Sequence, residues 1–255
     1  MTDADIALAH ALAHAAGAAI RPYFRARFEI ETKQDASPVT QADRAAEAAI
    51  RAILEKERPA EGIIGEEYGT VREGAERLWV LDPIDGTRSF IAGRPIFGTL
   101  IALIEGGVPV LGVIDQPITG ERWIGAKGQP TLLGGTPVRT RACAGIVSAH
   151  LATTSPRLFA PDEQVAFDRL SAASRDTLWG GDCYNYGLLA AGHLDLVVEA
   201  GLKLYDFAAL VPIVEGAGGA MRDWQGAPLA RDSAGRVIAA GDPGLIDETL
   251  AALGG

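Results

Sequence analysis

The tightest constraint on this chain is the stretch Trp79-Val-Leu-Asp-Pro-Ile-Asp-Gly-Thr87. The apolar run from Leu78 to Leu81 reads as the end of a buried strand, and it delivers two carboxylates, Asp82 and Asp85, into a turn closed by Gly86 and Thr87. Two acids three residues apart repel one another and are costly to desolvate unless a positive charge sits between them. Pro83 fixes one torsion and removes a donor, so the turn is stiff and the Ile84 carbonyl can aim at the same point as the acids. The stretch therefore reads as a metal cradle. Gly86 admits close approach of a ligand to the backbone, and Thr87 adds a hydroxyl beside unpaired amides, which suits a phosphate oxygen. The competing reading is an Asp-rich capping turn ahead of a helix from Ser89.

The 255 residues are 48% hydrophobic, enough to bury a sizeable core, and no linker or repeat interrupts them. We expect one unit over 1–255, with halves at 1–140 and 141–255. A net charge of −10 argues against nucleic acid or anionic membrane as partner. A phosphate ligand stays open, because bound cations can reverse the field locally. The two cysteines, Cys143 and Cys183, have no zinc-site spacing and suit a reduced chain. The start, with Thr2, Asp3 and Asp5, does not resemble a signal peptide, and no apolar run is long enough to span a bilayer. The expected location is the cytoplasm.

Ala-rich residues 3–28 predict a long amphipathic helix, on which His10 and His14 form a surface pair with no third ligand. A short strand over 29–32, a polar loop over 33–38 and a second Ala-rich helix ending near Pro59 follow. Asp43, at the start of that helix, could simply cap it. Ile63-Ile64 reads as a brief strand leading into Gly65-Glu66-Glu67-Tyr68-Gly69, which is either a second ligand site or a solvated turn. The runs 97–104 and 109–114, joined through Gly106-Gly107, predict a hairpin that continues antiparallel at 123–126 and 136–139. In the second half, 145–149 and 191–199 read as strands and 161–174 and 184–192 as helices. Asp206 opens a helix over 207–217 that ends at the Gly216-Ala-Gly-Gly219 cluster. The alternation predicts α/β layering.

Glu66, Asp82, Asp85 and Asp206 all fall at element boundaries, where side chains can reach one cleft. With the Ile84 carbonyl they supply only oxygen, a donor set that selects magnesium, or manganese, over zinc or copper.

These residues resemble the inositol monophosphatase family of magnesium-dependent, lithium-sensitive phosphomonoesterases. Trp79 to Thr87 resembles its first signature, Gly65-Glu66-Glu67 its upstream metal motif, and Tyr205-Asp206-Phe-Ala-Ala209 with Glu215-Gly-Ala-Gly-Gly219 its second signature, Tyr205 standing where Trp is more usual. The resemblance implies an α-β-α-β-α sandwich and commonly a homodimer. It implies one Mg²⁺ on Glu66, Asp82 and the Ile84 carbonyl, a second on Asp82, Asp85 and Asp206, and a weaker third near Glu66. Asp43 and Thr87 would orient the attacking water, and the Gly86 and Thr87 amides would hold the phosphate. Lys33 stands much where a family lysine does.

Within the family, Arg88-Ser-Phe after Asp-Gly-Thr, together with Gly93 to Leu103, Gly112 to Pro117 and Gly180 to Tyr184, is most similar to the histidinol-phosphatase branch. That implies a substrate carrying an amine and an imidazole, favoured by an acidic wall. Glu199 and Asp182 are the candidates for that wall, each with a purely solvated alternative, and Arg88 meets either the phosphate or a neighbouring acid. His193 and Asp195 read as structural. Inositol monophosphatase is the alternative activity.

Overall fold

The computed structural model describes residues 1–26, 30–32 and 38–254. The helices are α1 (Asp3–Ile20), α2 (Gln41–Glu57), α3 (Thr87–Ile91), α4 (Pro161–Ala173), α5 (Asp182–Ala190), α6 (Leu204–Phe207), α7 (Leu210–Gly216) and α8 (Leu245–Gly254). A small antiparallel ribbon joins β1 (Ile30–Thr32) to β2 (Pro38–Thr40). The large sheet contains β3 (Gly62–Gly65), β4 (Gly69–Val71), β5 (Arg77–Asp85), β6 (Gly98–Glu105), β7 (Val108–Gln116), β8 (Glu121–Ala126), β9 (Leu132–Leu133) and β10 (Thr136–Pro137). Its order is β10-β9-β8-β7-β6-β5-β3-β4. The second sheet contains β11 (His150–Thr153), β12 (Asp176–Trp179), β13 (Leu196–Glu199), β14 (Ala220–Arg222) and β15 (Val237–Ala240), in the order β12-β11-β13-β15-β14. No helix among the described residues is long and apolar enough to cross a membrane.

Three cores hold five layers together, the middle one covering both faces of the central helices, and β5 shows how the sequence divides between them. Side chains alternate across a strand. Trp79 and Leu81 therefore join the outer core under α1 and α2, beside Leu12, Ala16 and Ile50. Leu78 and Val80 join the middle core, where the large sheet meets α5, α6 and α7 and, beyond them, Val197 and Ala239 of the second sheet. Leu151, Leu196 and Ile238 turn the other way, under Phe167 and Leu170 of α4 and Leu253 of α8. A run that is apolar at every position is what a strand buried on both faces needs. The architecture is the expected α-β-α-β-α sandwich.

Local chemistry moved several boundaries away from the sequence-based expectations. The first helix ends at Ile20 rather than 28 and tightens into a 3₁₀ turn over Arg21–Tyr23, because Pro22 has no amide to donate. The helix expected over 207–217 is two, α6 and α7. Pro212 is tolerated only in a first turn, so the helix restarts at Leu210. The helix expected at 184–192 is shifted to Asp182–Ala190, bounded by positive-φ Gly181 before it and Gly192 after it. Residues 146–148 form a 3₁₀ turn with Val147 exposed, and the strand lies at His150–Thr153 instead. In the 191–199 segment only Leu196–Glu199 is strand. The large sheet is not wholly antiparallel, since β3 and β5 run parallel, with β4 on the far side of β3. Glu29 and the loop over 33–37, Lys33 included, lie outside the described residues.

Candidate active site

The two aspartates of the central motif are not in a turn after the strand, as the sequence suggested. They are in the strand itself, and a bulge makes them useful. Asp82 pairs with Leu100 and Asp85 with Gly98, so three steps along β5 match two along β6. Residues i and i+3 of a regular strand point to opposite faces, but one inserted residue restores the parity. Asp82 and Asp85 therefore share the inner face, while Ile84 turns into the outer core with Trp79 and Leu81. Pro83 sits in the bulge, where its missing amide costs no ladder bond, and the hydroxyl of buried Thr99 donates to its carbonyl at 2.8 Å.

Asp206, from α6 in the middle layer, completes the cluster. Carboxylate oxygens of Asp82, Asp85 and Asp206 all lie within 4.8 Å of one another. The Ile84 amide donates to Asp82 Oδ1 at 3.1 Å, the Cys183 amide in the first turn of α5 to Asp85 Oδ2 at 2.5 Å, and the Lys203 amide to Asp206 Oδ2 at 2.6 Å. Glu66, one residue beyond β3, faces the cluster: its charge acts on Asp82, Asp206 and Asp43.

So many acids in one place cannot all ionise easily. Burial, then Glu66, Asp85 and Asp206, push the Asp82 carboxyl well above the usual range. Burial, then Asp182 and Asp206, do the same to Asp85. Asp206 is raised to about 7, chiefly by burial, despite the Lys203 amide. The residues fit a divalent ion: the donors are hard oxygens that converge, and the strain on their ionised forms is what a cation relieves.

On the other side of the motif, Asp43 is 1% exposed in the first turn of α2. It is not the helix cap. Thr40 is, its oxygen accepting from the Ala42 amide at 3.1 Å, and Asp43 Oδ2 accepts in return from the Thr40 amide at 2.8 Å and hydroxyl at 2.5 Å. That leaves Oδ1 facing Thr87, whose hydroxyl is 3.5 Å away and 3.1 Å from the Ile84 carbonyl. Gly86 has φ +86° at the start of α3, and a Cβ there would lie 2.7 Å from Asp182 Oδ2.

Asp182 itself accepts from the Ser89 hydroxyl at 3.0 Å, and burial raises its pKa while Ser89, Arg94 and Arg88 oppose the rise. Glu199 is 2% exposed, with Oε1 accepting from the Thr154 amide and Oε2 from the Tyr186 hydroxyl, both at 2.9 Å; burial raises it to about 6. Asp182 and Glu199 line one cavity of about 140 Å³ with Asp85 and Asp206. Exposed Arg88 instead lines a wider cleft of about 420 Å³ with Glu66, Gly86, Thr87 and Arg94. His10 and His14 are exposed on α1, and Asp195 is structural, held by Arg141 through two 2.6 Å contacts.

Sequence reasoning passed over three residues that shape this site. Ser89 hydrogen-bonds Asp182 and the charge of Arg94 favours its ionised form; both fall in the stretches similar to the histidinol-phosphatase branch, but neither was singled out as a site residue. Glu47 is wholly buried in α2 and accepts from the Glu67 and Tyr68 amides. Its signal was legible in principle, as an acid four residues after Asp43 and so on the same helix face.

Residues 2–253 match the sequence profile of the inositol monophosphatase family. The chloroplastic bifunctional phosphatase IMPL2 of Arabidopsis thaliana is 48% identical over 260 residues, spanning 98% of this chain and 75% of that protein. A histidinol-phosphatase from Chlorobaculum parvum is 38% identical over 237 residues, 92% of each chain. The solved structure of an inositol monophosphatase from Zymomonas mobilis matches with a TM-score of 0.92 and 62% identity, over 99% of this chain and 98% of that one. With its acidic centre and its five layers, the chain belongs to the inositol monophosphatase family and is a phosphatase, a phosphoric monoester hydrolase.

Proposed function

We propose that this phosphatase hydrolyses L-histidinol phosphate to L-histidinol and inorganic phosphate, a step of histidine biosynthesis. The observation that carries the substrate is the acidic wall: Asp182 and Glu199 line the same cavity as Asp85 and Asp206. Such a wall favours a leaving alcohol with an ammonium and an imidazole over a neutral polyol. The likeness to the Chlorobaculum parvum histidinol-phosphatase supports this reading. Inositol monophosphatase is the second reading, favoured by the likeness to the Zymomonas mobilis structure.

Glu66, Asp82, Asp85, Asp206 and the Ile84 carbonyl would hold two to three Mg²⁺, or Mn²⁺ in their place. When bound, the ions supply charge neutralisation and acidification of water. Asp43 and Thr87 orient the attacking water. Thr87 has one proton, which the Ile84 carbonyl and Asp43 Oδ1 both attract. Donated to Asp43 Oδ1, that proton would leave a lone pair of Oγ1 free to accept a hydrogen bond from water. The Gly86 and Thr87 amides, with Arg88 at the rim, hold the phosphate. Water attacks phosphorus, the P–O bond to the alcohol breaks, and the alcohol leaves with a proton. No phosphoenzyme is required. We further propose a cytoplasmic homodimer, checked by sedimentation.

The test is phosphate release with Mg²⁺ from histidinol phosphate, inositol 1-phosphate, fructose 1,6-bisphosphate and adenosine 3′,5′-bisphosphate, with an EDTA control. Preference for histidinol phosphate, lost with EDTA, is the expected result. Dominant turnover of inositol 1-phosphate would move the assignment to the second reading.

A further inference from the structure

We infer that Glu47 is a positioning residue that aims Glu66 at the cation site. The inference rests on the cation reading above. The Glu66 segment is the loop between β3 and β4, and by itself it is a short turn of polar residues between two glycines. Glu47 holds it from below. One oxygen, Oε2, accepts from the Glu67 amide at 2.7 Å; the other, Oε1, accepts from the Tyr68 amide at 3.2 Å and from Arg51 Nε at 2.7 Å. Arg51 reaches on to the Gly69 carbonyl, so the loop is gripped at its amides and at its far end. The fit is close: a Cβ on Gly65 would lie 1.9 Å from Glu47 Oε1. From the other flank, the Glu66 amide continues the sheet ladder to the Leu81 carbonyl at 3.2 Å.

Three residues at four-residue spacing, Asp43, Glu47 and Arg51, thus put one stripe of α2 against the site. Asp43 faces Thr87, while Glu47 and Arg51 grip the turn. A buried carboxylate whose two oxygens accept two consecutive amides specifies the backbone of a loop more tightly than apolar packing does. What the loop presents is Glu66.

Glu47→Gln tests this. One of its two acceptor positions becomes an amide NH₂ facing an N–H, so the grip fails while the side-chain volume stays. Calorimetric titration with Mg²⁺ alone, without substrate, should show affinity lowered about tenfold. Circular dichroism should report the wild-type fold. Arg51→Gln removes both the Nε donor that holds Glu47 Oε1 and the contact to the Gly69 carbonyl, so the grip loosens and Mg²⁺ affinity should fall by a smaller factor; it carries the test where Glu47→Gln does not fold. Asp195→Asn, which removes a buried structural carboxylate elsewhere, should lower stability and leave Mg²⁺ affinity unchanged. If Glu47→Gln, or Arg51→Gln in its stead, binds Mg²⁺ as tightly as wild type, the positioning role is overturned. A wild-type protein that binds no divalent ion would instead overturn the cation reading itself.

Discussion

Asp82, Asp85 and Asp206 are three acids in a place where one would already be costly, and the cost identifies the site. Asp85→Asn keeps the shape and removes one negative oxygen, so the protein should fold normally and lose turnover by about a hundredfold or more, through a weakened cation site. Assays across a Mg²⁺ titration check this, and near-normal activity would contradict the mechanism. At this scale much of the site was legible. Residue type and spacing alone marked Glu66, Asp82, Asp85, Thr87 and Asp206, because hard oxygen donors clustered at element ends have few uses besides cations. Glu47, Ser89 and Arg94 were not legible in the same way. Each acts on a partner distant in the chain, Glu67 and Tyr68 for Glu47, Asp182 for the other two, and sequence carries no record of who the partner is.

Between elements, one close approach sets how the middle layer sits, and one partly buried ion pair ties the two sheets' chain segments together. The gap between α6 and α7 leaves the Ala209 backbone pressed on β7, where a Cβ on Gly112 would lie 1.9 Å from the Ala209 carbonyl oxygen. Gly112→Ala must therefore push α7 off the sheet, and urea unfolding should show a loss of about 1–3 kcal/mol. Asp195 ties the chain that leaves the first sheet to the start of the second, through Arg141 and through the His150 amide at 2.8 Å. Burial alone would raise its carboxyl, but Arg141 and the His150 amide outweigh burial and hold it below the usual range. A depressed folded pKa contributes stability above the unfolded value of about 3.9 and loses it as pH falls toward the folded one. The stability gap between wild type and Asp195→Asn should therefore be full at pH 7 and shrink below pH 4. A gap independent of pH in chemical denaturation would rule this out. The hairpin over β6 and β7 was readable from Gly106-Gly107 between two apolar runs. The broken helix at 204–216 was not, although Pro212 was its visible cause, because a proline permits either a kink or a restart and packing against Gly112 selects the restart.

For the whole molecule, the consequence of an acidic centre is that the cation should contribute to holding the fold. An ion that binds the folded chain stabilises it by mass action, about 2.7 kcal/mol at a hundred times the dissociation constant. Thermal melts at neutral pH should therefore rise with Mg²⁺ and fall back with EDTA, and identical melts would argue that the acids hold no ion. Apart from the five-layer count, which the family resemblance implied, the sequence by itself determined α/β layering, through the alternation of strand and helix patterns, and the oxygen-only chemistry, through the identities of the acids. Both are local properties: hydrophobic periodicity sets which element a segment forms, and donor type sets which ion it suits. Tertiary structure alone decided that the acids meet. Asp82 and Asp85 share a face only because β6 offers two residues against three, Asp206 arrives from the middle layer, and Glu66 is aimed by a carboxylate on a different helix. Register, layer stacking and the partner of a buried charge depend on chain segments far apart in sequence, and they come into being only when those segments pack.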